Sequence, residues 1–265
     1  MRTIGALGLS TLALLAGAPA ATAQPRSGVA RPADEAALPP LELGAQLYAG
    51  NCASCHGTDG RGVSAPAPQH GAGKIAGLGP SLRGVGAQAV DFYLSTGYMP
   101  LGDPREQPTR GPALFTRREI DAMTRYVASL SKGPAIPVPH PQLGSLAEGQ
   151  QLFTEKCAGC HQVVGEGGIV TGARVPPLDK ATATEIAEAV RIGPYFMPRF
   201  NHRDLNDSQL DSIVRYVLYA KRRPDDRGGW AIDHLGPFPE GIVAWLLGGL
   251  SLLLVCMVIG KRVRS

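Results

Sequence analysis

The 265-residue chain is poor in the side chains from which ordinary cores are built: aromatics make up 6% of it and tryptophan occurs twice, against Gly 34 and Pro 23. Such a composition predicts a loop-rich protein. With the apolar ends set aside, two bodies of about 80 to 90 residues remain, a size with little core of its own. The chain also lacks a strong charge of either sign. Its formal net charge is +4, yet residues 41–131 carry eight basic and seven acidic side chains, and residues 145–224 carry ten and nine. Both bodies are near neutral, which excludes a nucleic-acid-binding face. The excess lies largely in Lys261, Arg262 and Arg264. Cysteine is scarce as well, with five in all.

Four of those five fall into two copies of one pattern, Cys52-Ala53-Ser54-Cys55-His56 and Cys157-Ala158-Gly159-Cys160-His161. Paired zinc knuckles lie roughly 15 to 20 residues apart, whereas these copies are separated by 157 − 52 = 105 residues. A thioredoxin-like dithiol predicts a single motif near a βαβ pattern and no His directly after the second Cys. What Cys-x-x-Cys-His supplies is two thiols placed to add to the two vinyl groups of one haem, with the adjoining His delivered to one face of the iron. Two covalently attached haem c groups are therefore expected, each also serving its small body as an apolar centre.

The two ends are read as membrane-related. Residues 1–23 begin Met1-Arg2, continue uncharged and close on Ala21-Thr22-Ala23, which fits a signal peptide with an Ala-x-Ala cleavage site. A retained N-terminal anchor is the alternative, weakened by many Ala and Gly and by Pro19. Gly241 to Gly260 is twenty residues without a charge, roughly 30 Å as a helix, and so long enough to span a bilayer. The basic tail after it points to the cytoplasm by the positive-inside tendency, leaving the cysteine motifs outside. Trp230 and Trp245 flank or enter this segment as candidate interface anchors.

An internal repeat organises the middle. At the offset of 105 that aligns the motifs, Gly44 falls on Gly149, Leu47 on Leu152 and Tyr48 on Phe153. These residues lie on predicted helices over 41–51 and 146–156, and a glycine there lets another helix cross closely. Downstream, Arg125-Tyr126-Val127 recurs as Arg215-Tyr216-Val217 at an offset of 90. A helical stripe of Ile120, Met123, Tyr126, Val127 and Leu130 maps onto Leu210, Ile213, Tyr216, Val217 and Ala220. Thr116 with Glu119 and Asn206 with Gln209 supply capping boxes for these closing helices. The shrinking offset puts the length difference in a Gly/Pro-rich loop, longer in the first repeat. Residues 132–144 hold Pro134, Pro137, Pro139 and Pro141 and are expected to be a stiff spacer.

Function turns on the opposite face of each iron. Of five methionines, Met123 belongs to the core stripe and Met257 to the membrane helix. Met99 in Tyr98-Met99-Pro100 and Met197 in Phe196-Met197-Pro198 sit in corresponding loops. They follow His56 by 99 − 56 = 43 residues and His161 by 197 − 161 = 36. Thioether ligation favours reduced iron and suits electron transfer. His70 and His202 are rival ligands without counterparts in the other repeat. Pro80, and either Pro176 or Pro177, sit where a backbone carbonyl can accept the Nδ1–H of the proximal His.

Helix, Cys-x-x-Cys-His, Gly/Pro loop, Met-Pro and closing helix, twice over, resemble class I cytochrome c domains in tandem. With Gly228-Gly229-Trp230, Leu235-Gly236-Pro237, Glu240-Gly241 and one C-terminal span, the chain resembles the dihaem cytochrome c subunit of the actinobacterial cytochrome bc complex. The resemblance implies an all-α fold, with domains at 41–131 and 145–224. Linkers would occupy 24–40 and 132–144, a juxtamembrane segment 225–240, a transmembrane helix 241–260 and a tail 261–265. It implies covalent haems on Cys52, Cys55, Cys157 and Cys160, proximal His56 and His161, and distal Met99 and Met197. It further implies a menaquinol:cytochrome c reductase of the plasma membrane, with electrons arriving from a Rieske iron-sulfur subunit beside cytochrome b. They would leave for a terminal oxidase, with no bond chemistry on this chain itself. The competing readings are a dihaem cytochrome of another complex, such as an oxidase or membrane dehydrogenase, and a dihaem peroxidase. Cys256, inside the apolar span, carries no assigned chemistry.

Overall fold

A computed structural model of the chain describes residues 28–63, 79–102, 107–222 and 237–264. It divides into two compact units: one runs to Leu218 and contains both repeats, and the other begins at Tyr219 and contains the C-terminal helix.

Each repeat opens with a helix that runs straight into its cysteine turn: α1 (Pro40–Asn51) into α2 (Ala53–His56), and α5 (Leu146–Lys156) into α6 (Ala158–His161). The first begins one residue before the predicted Leu41, because Pro40 occupies the first helical position, where its missing N–H has no partner to lose. The repeats close with α4 (Arg117–Leu130) and α8 (Asp207–Ala220). Both anticipated capping boxes form. Glu119 N–H donates to Thr116 Oγ1 at 3.3 Å, while Thr116 N–H donates to Glu119 Oε2 at 2.6 Å. Gln209 N–H donates to Asn206 Oδ1 at 2.9 Å and Asn206 N–H to Gln209 Oε1 at 3.1 Å.

Opening and closing helices meet at the paired glycines. A Cβ on Gly44 would strike the Ala122 carbonyl, and one on Gly149 the Ser212 carbonyl. Beside these contacts Tyr48 packs on Tyr126 at 5.2 Å and Phe153 on Tyr216 at 5.4 Å, tilted by 50° and 52°. The hydroxyl changes sides between copies: Tyr48 donates to Gly57 O at 2.6 Å, whereas Phe153 has none and Tyr216 donates to Val163 O at 2.8 Å. Either way, the segment just after the cysteine turn is tied to the helix crossing. Leu43, Leu47, Leu94, Phe115, Ile120 and Met123 cluster in the first core. Leu152, Phe153, Ile186, Val190, Leu210, Ile213 and Val217 are buried in the second. Each such side chain contributes about 1.5–3 kcal/mol on burial.

Two further helices stand where only Gly/Pro loops are expected, α3 (Gly86–Ser95) and α7 (Ala183–Ile192). The second has its own capping box, Thr182 with Glu185, and ends at Gly193 in the left-handed conformation. The all-α expectation also acquires a small hairpin. Strands β1 (Gly168–Val170) and β2 (Ala173–Val175) pair antiparallel with Ile169 opposite Arg174.

Residues 132–144 are held at both ends by contacts with the repeats. Gly133 and Pro134 lie against Gly86, and Gln88 N–H donates to Pro134 O at 3.3 Å. At the other end His140 N–H donates to Asp211 Oδ1 at 2.6 Å, and Arg215 Nη1 to Gly144 O at 2.6 Å. The repeats touch directly through α3 and α7. Residues 28–38 also lie on the first repeat, with Arg31 Nε donating to Glu119 Oε1 at 2.6 Å.

In the second unit, α9 (Pro237–Arg264) is one 28-residue helix. Its Gly241–Arg262 stretch is long and apolar enough to cross a membrane. Trp245 and Cys256 are exposed on it, and Trp230 lies outside the described residues.

Candidate haem sites

The two cysteine turns are superimposable in their bonding. His56 N–H donates to Cys52 O and His161 N–H to Cys157 O, both at 2.9 Å, and Cys55 and Cys160 N–H donate to the same carbonyls at 3.1 Å. Each turn is left through a positive φ, +77° at Gly57 and +61° at Gln162. The chain then doubles back: Gly62 N–H donates to His56 O at 2.8 Å, and Gly167 N–H to His161 O at 3.1 Å. Gly79 passes so near the turn that a Cβ on it would lie 2.7 Å from Cys55 O.

This return path brings a proline carbonyl to each imidazole. His56 Nδ1 is 2.8 Å from Pro80 O, and His161 Nδ1 is 3.3 Å from Pro176 O, which resolves the choice between Pro176 and Pro177. A carbonyl only accepts, so Nδ1 carries the proton and Nε2 keeps its lone pair for a metal. Burial pushes His161 below the ordinary imidazole value, opposed by the Pro176 hydrogen bond, and so favours the neutral ring. Burial also pushes the Cys52 and Cys157 thiols up to about 11. Beside them, Cys55 adds to the first shift and the Lys156 charge opposes the second.

Met99 and Met197 line the same cavity as the two imidazoles. Met99 N–H donates to Tyr93 O at 3.1 Å, and its side chain packs on the first core. Met197 N–H donates to Pro194 O at 3.0 Å, in the loop between α7 and α8. One cavity of about 1170 Å³ is lined by His56, Met99, His161 and Met197 together with Cys52, Cys157 and Cys160. The pockets of the two repeats are continuous. His202 is instead exposed, with Nδ1 3.0 Å from Asp207 Oδ1, and His70 lies outside the described residues.

Other lining residues escaped the sequence reading. Arg110 of the first repeat pairs with Glu185 of the second at 3.0 Å. Gln107 and Arg174 exchange hydrogen bonds, Gln107 Nε2 to Arg174 O at 2.6 Å and Arg174 N–H to Gln107 Oε1 at 2.8 Å. All four border the cavity where the repeats meet. The Thr182–Glu185 capping box was a local signal for α7, but nothing local announced the Arg110 partner.

Comparison with known proteins decides what these paired sites belong to. Residues 41–131 match the cytochrome c family, and residues 144–217 match cytochrome c oxidase, cbb3-type, subunit III. The cytochrome bc1 complex cytochrome c subunit of Mycobacterium tuberculosis is 36% identical over 261 residues, covering 94% of this chain and 87% of that protein. The chain belongs to the family of cytochrome bc1 complex cytochrome c subunits. The subunit of the same description from Corynebacterium diphtheriae is 33% identical over 247 residues, or 86% of this chain and 83% of that one. The cbb3-type cytochrome c oxidase subunit CcoP of an Azospirillum strain is 30% identical over 195 residues, covering 66% of this chain and 60% of its own.

As a cytochrome c subunit of this family, the chain carries two cytochrome c domains, and such domains imply haem c. The residues fit that group. Each half of the cavity offers one imidazole with a free Nε2 and one thioether, with Cys52 lining the first half and Cys157 and Cys160 the second, among apolar walls that include Val85, Val90, Ile186 and Val190. Among the described residues, no group of three or more His, Cys, Asp or Glu side chains is arranged to hold a metal ion unaided.

Proposed function

We propose that this chain is the membrane-anchored dihaem subunit of a quinol:cytochrome c reductase, passing electrons from a Rieske iron-sulfur subunit toward a terminal oxidase. The observation that carries the reading is the repeated site itself: a Cys-x-x-Cys-His turn with its proline-held imidazole, and a methionine from a Met-Pro sequence, lining one cavity. Cys52 and Cys55 would hold one haem and Cys157 and Cys160 the other. His56 with Met99, and His161 with Met197, would close the two faces of each iron. A bound haem c would supply a one-electron centre there.

The protein's own part is to keep these ligands still. Pro80 and Pro176 fix the imidazole tautomer, the helix crossings at Gly44 and Gly149 fix the cysteine turns, and the apolar walls exclude water. One cavity lined by residues of both repeats supports placing the two haems near each other. Helix α9 would anchor the subunit, with Lys261 and Arg262 on the cytoplasmic side and both haem domains outside.

Affinity purification of the tagged chain from native membranes tests this assignment. Cytochrome b and a Rieske subunit are expected to accompany it; their absence, with an oxidase or dehydrogenase in their place, would transfer the chain to another respiratory complex. That second reading draws on the oxidase-subunit likeness of the second domain.

A further inference from the structure

The two repeats hold their methionine loops differently. In the second, Arg191 near the end of α7 is only 8% exposed, and its guanidinium turns into the loop that runs from Gly193 to Asn206. Nη1 donates to Leu205 O at 2.7 Å and to Phe200 O at 3.3 Å, while Nη2 meets Asp207 Oδ1 at 2.8 Å at the start of α8. Leu205 is fully buried, so its carbonyl depends on this donor. Phe200 N–H in turn donates to Val190 O at 3.0 Å, which ties the same stretch to α7 a second time.

Among the described residues, the first repeat shows no such clamp. Gly97 and Gly193 occupy equivalent positive-φ positions, +69° and +66°, and two residues earlier Ser95 stands where the second repeat has Arg191. The arginine is at Arg117 instead, equivalent to Asp207. Its side chain is 59% exposed and directed to Asp91 and Asp121, with Nη1 also 3.3 Å from Ser95 Oγ. The pairing is thus inverted between repeats, and among the described residues it is the buried version that grips the carbonyls of a methionine loop.

We propose that Arg191 is a positioning residue for the sixth iron ligand of the second domain, acting through the loop that carries Met197. A planar guanidinium holding two loop carbonyls and the carboxylate that begins α8 ties the loop to both flanking helices at once, which a lysine ammonium cannot reproduce. Loosening the loop weakens the thioether's hold on the iron and lowers the potential that thioether ligation raises. The inference rests on Met197 being that ligand.

The test uses the full-length holoprotein with Arg191→Gln, Arg191→Lys and Met197→Leu. Haem per chain, the two midpoint potentials and the ferric sulfur-to-iron charge-transfer band are measured for each. Arg191→Gln is expected to keep full haem content, to lower one potential only and to remove up to about half of the band, since one thioether remains. Arg191→Lys should fall between it and wild type, which keeps the test open if the glutamine variant folds poorly. Unchanged band and potentials in both arginine variants, while Met197→Leu shifts one potential, would overturn the positioning role. A Met197→Leu protein with wild-type band and potentials would overturn the ligand reading beneath it.

Discussion

Arg110 of the first haem domain and Glu185 of the second form an ion pair across the domain contact, with Arg110 Nη2 3.0 Å from both carboxylate oxygens. The same carboxylate accepts from Thr182 N–H at 2.8 Å and so completes the capping box of α7. Arg110 also donates to Lys180 O at 3.3 Å. One glutamate therefore caps a helix that lines the shared cavity and binds the neighbouring domain to it. Arg110→Ala is expected to cost about 1–2 kcal/mol, the pair being partly exposed. Thermal unfolding followed separately at the two haems should lose coincidence; an unaltered single transition would show that the domains dock without this pair.

The distal ligands can be tested one at a time. Met99→His and Met197→His are each expected to lower the potential of one haem while leaving both covalently attached, because thioether ligation favours the reduced iron. Redox titration of each variant checks this. Two unmoved potentials in either variant would remove that methionine from the iron.

Glu188 on α7 is fully buried beside the Asp91 carboxyl. Burial, then the carboxylates of Asp91 and Glu185, push it from 4.5 to about 9, against the opposing charge of Arg117. The native state then holds a proton that the unfolded chain has lost between about pH 4.5 and 9, so stability falls as pH rises through that window. Glu188→Gln should abolish this decline. Denaturant melts of wild type and variant at pH 6 and pH 9 measure it, and parallel losses in both proteins would contradict the assignment.

The helix crossings tolerate no side chain. Gly149→Ala places a methyl against the Ser212 carbonyl, and Gly44→Ala places one against that of Ala122. Each is expected to cost about 1–3 kcal/mol by overpacking. Because Tyr216 ties the crossing to Val163 just past the cysteine turn, Gly149→Ala should also slow haem attachment in its own domain first. Haem content of the variant during expression checks this, and undiminished content in both domains would separate the crossing from the site.

What was legible in the sequence was short-range. The cysteine turns, both Met-Pro loops and the boxes at Thr116 and Asn206 each depend on residues within a few positions, and the glycine pairing emerged because the chain carries the pattern twice. Helix α3 left no comparable trace: Val85 caps it without a side-chain bond and Gly86 begins it. Helix α7 did carry a box, but Gly and Pro around it drew the reading toward loop. The domain contact was beyond local inference, since Arg110 and Glu185 are 75 residues apart. The Pro-rich segment read as a spacer because proline stiffness is local, whereas its packing onto Gly86 and Asp211 is tertiary.

The central claim, two covalent haems held by two equivalent turns, is tested most directly by peptide mass mapping of the denatured holoprotein. The account predicts one haem on the peptide containing Cys52 to His56 and one on that containing Cys157 to His161. A haem-free second peptide from fully assembled protein would contradict it, reducing the paired sites to a single working centre.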